Sequence, residues 1–169
     1  MARASPRIVG GLAPLGVSAV TAPQSRRTRQ PPGESLDLHA TIDDVPAIRQ
    51  FVVSACARLG ADEGTTFRCA LVADELCTNA LTHGSASGTV RFTVHVTGDA
   101  TMVHLHLDDD GAAFDPRSRF DTARDDPLTR STPGGFGLHL VGESVDEAAY
   151  GRTRTHNHTR LTFRAPASR

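Results

Sequence analysis

Apolar and polar positions fall into regular periods from Leu36 onward and into none before it. Leu36-Asp37-Leu38-His39-Ala40 alternates like a strand with one buried face. Val45 to Leu59 repeats at helical spacing. Asp43 or Asp44 can cap it, Pro46 is tolerated in its first turn, and Gly60 can end it. A second helix opens between Asp62 and Thr66, runs to about Thr82 and closes at His83-Gly84. Thr89 to Thr97 and Thr101 to Leu107 alternate around the turn Gly98-Asp99, which predicts a hairpin. Asp108 to Pro133 is polar with little apolar content. Gly135 to Val145 is helical again, and Ala148 to Thr153 and Thr159 to Arg164 form a last strand pair. The order β-α-α-β-β-loop-α-β-β predicts an α+β fold, a two-layer sandwich with a mixed, mostly antiparallel sheet and helices on one face.

The aperiodic residues 1 to 35, rich in Gly, Pro, Ser, Ala and Arg, are expected to be a disordered extension, and residues 36 to 169 one domain. A chain of 169 residues is long enough to bury a core of its own. Ile8 to Ala22 lies behind Arg3 and Arg7 as a signal peptide would. Gly10, Gly11, Pro14 and Gly16 interrupt its apolar run, however, and Pro23 follows the one plausible cleavage site, which argues against secretion. No segment is long enough to span a membrane. Cys56, Cys69 and Cys77 fall inside apolar helical patterns without metal spacing, as expected of small core residues in a reduced cytoplasmic protein.

Composition removes several kinds of chemistry. All 18 basic residues are arginine. Without lysine there is no P-loop, no eukaryotic-type protein kinase site and no lysine Schiff base. The net charge of −1 is uneven: five arginines against Glu34 give +4 over residues 1 to 35, which leaves −5 for the rest. An acidic body is not what direct nucleic-acid binding requires.

Candidate chemistry begins with Glu75 and Asn79, four residues apart on the second helix and therefore on one face. A carboxylate can take a proton or orient a nucleophile, and an amide oxygen can ligate a hard cation such as Mg²⁺. Taken alone, such a pair is also common on solvated helix faces. The polar stretch starts with Asp108-Asp109-Asp110-Gly111-Ala112-Ala113-Phe114-Asp115-Pro116 at a strand end. A carboxylate there can accept from an exocyclic amine, and small residues beyond it let a flat base approach; a solvated acidic turn would look the same. Alanines stand at 112 and 113, where a calcium loop begun at Asp108 would need a carboxylate or amide and a glycine, which argues against one. The stretch closes with Gly134-Gly135-Phe136-Gly137-Leu138, glycines leading into a helix start, which is a generic phosphate site. A roughly 25-residue connection between such motifs is usually a lid or binding loop.

In this order the motifs resemble those of the GHKL ATPase superfamily, over about residues 36 to 165, and most closely those of bacterial anti-sigma factor serine/threonine kinases and their actinobacterial ATP-binding relatives. Glu75-Leu76-Cys77-Thr78-Asn79-Ala80 with His83-Gly84 resembles the family's N box. Asp109 to Pro116 resembles its first glycine box, and Gly135-Phe136-Gly137-Leu138 its second. The resemblance implies the Bergerat ATP-binding fold. It also implies that Asn79 holds Mg²⁺ on the ATP phosphates, that Glu75 serves as base, and that Asp109 binds the adenine amine with Gly111 giving the ring clearance. Gly135, Gly137 and Leu138 would close over the phosphates, and Arg130 would neutralise charge on the terminal phosphate.

The second glycine of the family's first box is Ala113 here. If that position requires φ > 0, the alanine strains the backbone and weakens nucleotide binding by about 1 kcal/mol. Two readings follow. One is a kinase that phosphorylates a small antagonist protein, since 35 unstructured residues cannot supply the dimerisation helix and phospho-accepting histidine of a sensor histidine kinase. The other is a non-catalytic partner-switching protein that sequesters a sigma factor or an antagonist. The resemblance also raises the prospect of a homodimer. His104 and His106, like His156 and His158, share a strand face but have no further ligand nearby, and are expected to be ordinary strand histidines.

Overall fold

The computed structural model describes residues 7–8, 33–120 and 136–167. Strand β1 is Arg7–Ile8, β2 Gly33–Ala40, β3 Val90–Gly98, β4 Met102–Asp109, β5 Glu147–Arg152 and β6 Asn157–Arg164. Helix α1 is Val45–Arg58, α2 Glu63–His83 and α3 Phe136–Ser144, with short 3-10 turns at Ile42–Asp44 and Pro116–Arg119. The strands form one sheet in the order β1-β5-β6-β4-β3-β2, antiparallel except for the β1–β5 pair. The α+β expectation, with its mixed and mostly antiparallel sheet, is met.

Strand parity builds the core. Phe92, Val94 and Val96 of β3, Val103, Leu105 and Leu107 of β4, and Leu161 and Phe163 of β6 all point to one face and are buried. There they meet Ile48 and Val52 of α1 and Val72 and Leu76 of α2. Residues of the opposite parity, among them His95, His104, His106 and Arg160, lie on the other, partly exposed face, as the two-residue period requires. Among the described residues there is no group of three or more His, Cys, Asp or Glu that could hold a metal.

Helix ends follow local chemistry. Asp62 caps α2 by accepting from the Thr65 amide at 3.0 Å and its hydroxyl at 2.6 Å. Gly60, at φ +76°, ends α1 in a Schellman arrangement: its N–H donates to the Ala57 carbonyl and that of Ala61 to Cys56. Gly84 ends α2 differently. Its φ is −95°, so no left-handed turn forms, and glycine is required because a Cβ would come within 2.6 Å of the Ala80 carbonyl oxygen.

Three strand boundaries lie two or more residues from the sequence reading, and one strand is added. β2 begins at Gly33, three residues before Leu36, because Gly33, Glu34 and Ser35 continue the ladder to Thr97, Val96 and His95 without any apolar alternation. Glu34 is further tied to Arg58 of α1 by an ion pair. Within the segment expected to be disordered, Arg7 and Ile8 pair with Glu147 and Ala148; backbone hydrogen bonding needs no side-chain period. Strands β4 and β6 each run two residues further toward their shared end, to Asp109 and from Asn157, and the candidate site is built on that end.

Candidate functional site

Asp109 continues the inward parity of Val103, Leu105 and Leu107, so the strand turns a carboxylate toward the core, where it is 7% exposed. Its Oδ1 accepts from the Gly111 N–H at 3.0 Å and from Asn157 Nδ2 at 2.7 Å. Burial raises its pKa above the ordinary carboxylate value, although those two bonds and the nearby Arg152 guanidinium act against it. Both bonds fall on Oδ1, which leaves Oδ2 for a ligand. Beside Asp109 is a small cleft of about 30 Å³, lined also by Leu76, Asn79, Ala112, Phe114 and Thr159.

The motif glycine and alanine differ in what surrounds them. A Cβ on Gly111 would meet Asp109 Oδ1 at 2.9 Å and the Gly84 carbonyl oxygen at 3.4 Å. The glycine therefore makes room for the protein's own carboxylate and for the end of α2. Ala113 is exposed and is not at positive φ, since no described non-glycine residue is. The strain expected from alanine in the second glycine position does not arise.

At the other end of the cleft, Asn79 Nδ2 donates to the Glu75 carbonyl oxygen at 2.7 Å. A carbonyl can only accept, so the amide nitrogen must face it and the amide oxygen faces away, oriented as a donor for a hard cation. A single amide oxygen of this kind fits Mg²⁺, which typically takes few protein ligands and completes its shell with phosphate and water. Glu75 is half-buried, and burial, reinforced by the neighbouring Asp74 carboxylate, raises its pKa. Its carboxylate lies against α3: a Cβ on Gly137 would fall into it, with the carboxyl carbon 2.6 Å away. Gly137 thus lies against the Glu75 carboxylate, while Asn79 is bonded to the Glu75 backbone. Leu138 is 6% exposed and belongs to the core. Arg130 and Gly135 lie outside the described residues.

Sequence reasoning missed Asn157, which is 3% exposed. It faces Asp109 across the β4–β6 ladder and also bonds the Ala112 carbonyl at 3.0 Å, the Tyr150 hydroxyl at 2.7 Å and Arg152 Nη1 at 2.6 Å. Thr159, next inward on the same strand, lines the cleft too. A signal for both existed. Counting back in twos from Phe163 and Leu161 places Thr159 and Asn157 on the core face.

Comparison with known proteins places the chain in a family. A family model for the histidine kinase-like ATPase domain matches residues 38–163. The serine/threonine-protein kinase BtrW of Bordetella bronchiseptica is 36% identical over 102 residues, which are 57% of this chain and 68% of that protein. The RsbU and RsbW domains of Rv1364c from Mycobacterium tuberculosis share the fold. The TM-score is 0.54 at 20% identity, over 79% of this chain and 32% of that one, so the match spans about a third of the solved chain. Among the described residues no helix is long and apolar enough to cross a membrane. Because the match runs from Leu38 in β2 to Phe163 in β6 and takes in both ends of the cleft, this chain belongs to the histidine kinase-like ATPase domain family.

Proposed function

We propose that the chain is an ATP-binding regulator of the anti-sigma type that transfers the terminal phosphoryl group of Mg-ATP to a serine or threonine of a small antagonist protein. The Asp109 carboxylate carries this reading: one oxygen is held by the protein and the other is left to a cleft that Asn79 also lines. The kinase BtrW, similar over 102 residues, supports the reaction class.

In this reading Asp109 Oδ2 accepts from the exocyclic amine of adenine. Asn79 offers its amide oxygen to Mg²⁺, which when bound neutralises charge on the phosphates. The substrate hydroxyl oxygen bonds to the terminal phosphorus as the bond to the bridging oxygen breaks, its electron pair leaving on ADP. The hydroxyl proton passes to Glu75, and a carboxylate raised by burial is the better acceptor for it. Ala113, whose ordinary backbone removes the expected strain, does not weaken the case for nucleotide binding.

Calorimetric titration with Mg-ATP, followed by transfer of labelled phosphate to candidate antagonist proteins, tests both halves. Micromolar binding and transfer abolished by Glu75→Ala are expected. Binding without transfer to any antagonist, the same in wild type and Glu75→Ala, would leave the partner-sequestering reading in its place.

A further inference from the structure

Asn157 has no part in the reaction above, yet its side chain is fixed on every polar atom. It stands on β6 with Asp109 of β4 on one side and Arg152 of β5 on the other, each its direct register partner. Arg152 has only donors, so the Asn157 carbonyl oxygen must face it, 2.6 Å from Nη1, where it also accepts from the Tyr150 hydroxyl at 2.7 Å. The amide nitrogen therefore faces the other way. One of its hydrogens goes to Asp109 Oδ1 at 2.7 Å and one to the Ala112 carbonyl oxygen at 3.0 Å. Neither is left for the cleft.

We propose that Asn157 is a positioning residue that sets the base selectivity of the cleft. By holding Asp109 Oδ1 together with the Gly111 N–H, it fixes the carboxylate so that Oδ2 meets a ligand as an acceptor. A purine with a 6-amino group can donate to that oxygen. A 6-oxo purine in the same place sets two acceptors against each other, and a buried pair of that kind is unfavourable. The inference deepens the ATP-binding reading and rests on it. The selecting element is thereby a triad across three strands, Arg152 to Asn157 to Asp109, in which the central amide passes the orientation of a surface arginine to a buried acid.

The test is calorimetry of the full chain with Mg-ATP and with Mg-inosine triphosphate, which differs at the 6-position. The wild type is expected to prefer ATP by about tenfold or more. Asn157→Asp keeps the shape but replaces the donor by oxygen. Two carboxyls then share a proton beside Arg152, and the edge gains a donor. The preference should fall about tenfold, toward parity. Asn157→Leu, which keeps the volume and removes the donor, should move the ratio the same way, and melting curves establish which variants are folded. Any folded variant of the two that keeps the wild-type ATP-to-inosine ratio, at whatever affinity, overturns this inference alone. A wild type that binds neither nucleotide overturns the ATP-binding reading and the selectivity with it.

Discussion

The two ends of the cleft are built on opposite principles. At the end nearest Asp109, the protein satisfies its own polar groups: Asp109, Asn157, Arg152, Tyr150 and the backbone of Gly111 and Ala112 bond one another inside the ladder of three strands. At the Glu75 end, one helix supplies a carboxylate and an amide. The amide is oriented by a single bond to its own helix, and the carboxylate has no hydrogen bond from any described residue. The first end is rigid because buried polar groups are costly unless paired. The second keeps its groups available, as the proposed function would need for a cation and phosphoryl oxygens. On that proposal, recognition would be pre-formed in the sheet and chemistry left to a helix and a helix start.

The contrast can be broken by substitution, beginning where the effect is largest. Asp109→Asn turns an acceptor into a donor at the cleft and should weaken ATP binding roughly a hundredfold by calorimetry. Its effect on stability should have the opposite sign. Burial holds the Asp109 pKa above its ordinary 3.8, so the stability tied to its protonated form is present at low pH and lost as pH rises through the raised value. Nucleotide-free Asp109→Asn should therefore melt at or above the wild type at neutral pH, with the gap closing on acidification. A variant that melts well below wild type at pH 7 would show that the carboxylate is held for stability.

Asn79→Ala should remove the Mg²⁺-dependent part of ATP affinity, about tenfold or more, and leave the melting temperature nearly unchanged, since its amide bonds only its own helix. Affinity that is the same with and without Mg²⁺ in the wild type would deny Asn79 its cation. Gly137→Ala puts a methyl where the Glu75 carboxylate stands; because that is the end of a flexible side chain, the carboxylate should swing aside at a cost below about 1 kcal/mol in urea denaturation. A larger loss would show that the carboxylate is fixed in place. Asp62→Ala, remote from both ends, should cost about 1 kcal/mol through loss of the α2 cap and leave ATP affinity intact. The Thr65 bonds hold the Asp62 pKa below its ordinary 3.8. Its contribution is thus present above that value and lost as pH falls through the lower folded one, so wild type and variant should converge in acid.

Much of this was legible in the chain, because strand parity and helix caps are local. Val103, Leu105 and Leu107 already point the next odd residue, Asp109, inward, and the spacing of Glu75 and Asn79 already puts them on one face. Asn157 was equally legible by parity, but its strand was expected to start at Thr159, and a polar residue at the start of a strand looks like loop. What could not be read depends on distant partners. That Gly137 lies on Glu75, or that Gly111 yields to Asp109 and Gly84, follows from the packing of separate elements. The φ of Ala113 depends on the path of its loop. Arg7 and Ile8 join the sheet through backbone groups that every residue carries.

One backbone bond ties the first glycine motif to the helix that carries Glu75 and Asn79: the Ala112 amide donates to the carbonyl of Gly84 at the close of α2, at 2.8 Å. Its proton exchanges with solvent when that contact opens. The deuteration rate of this single amide is therefore a clock for how often the loop after β4 leaves the end of α2, readable with no nucleotide, label or partner present.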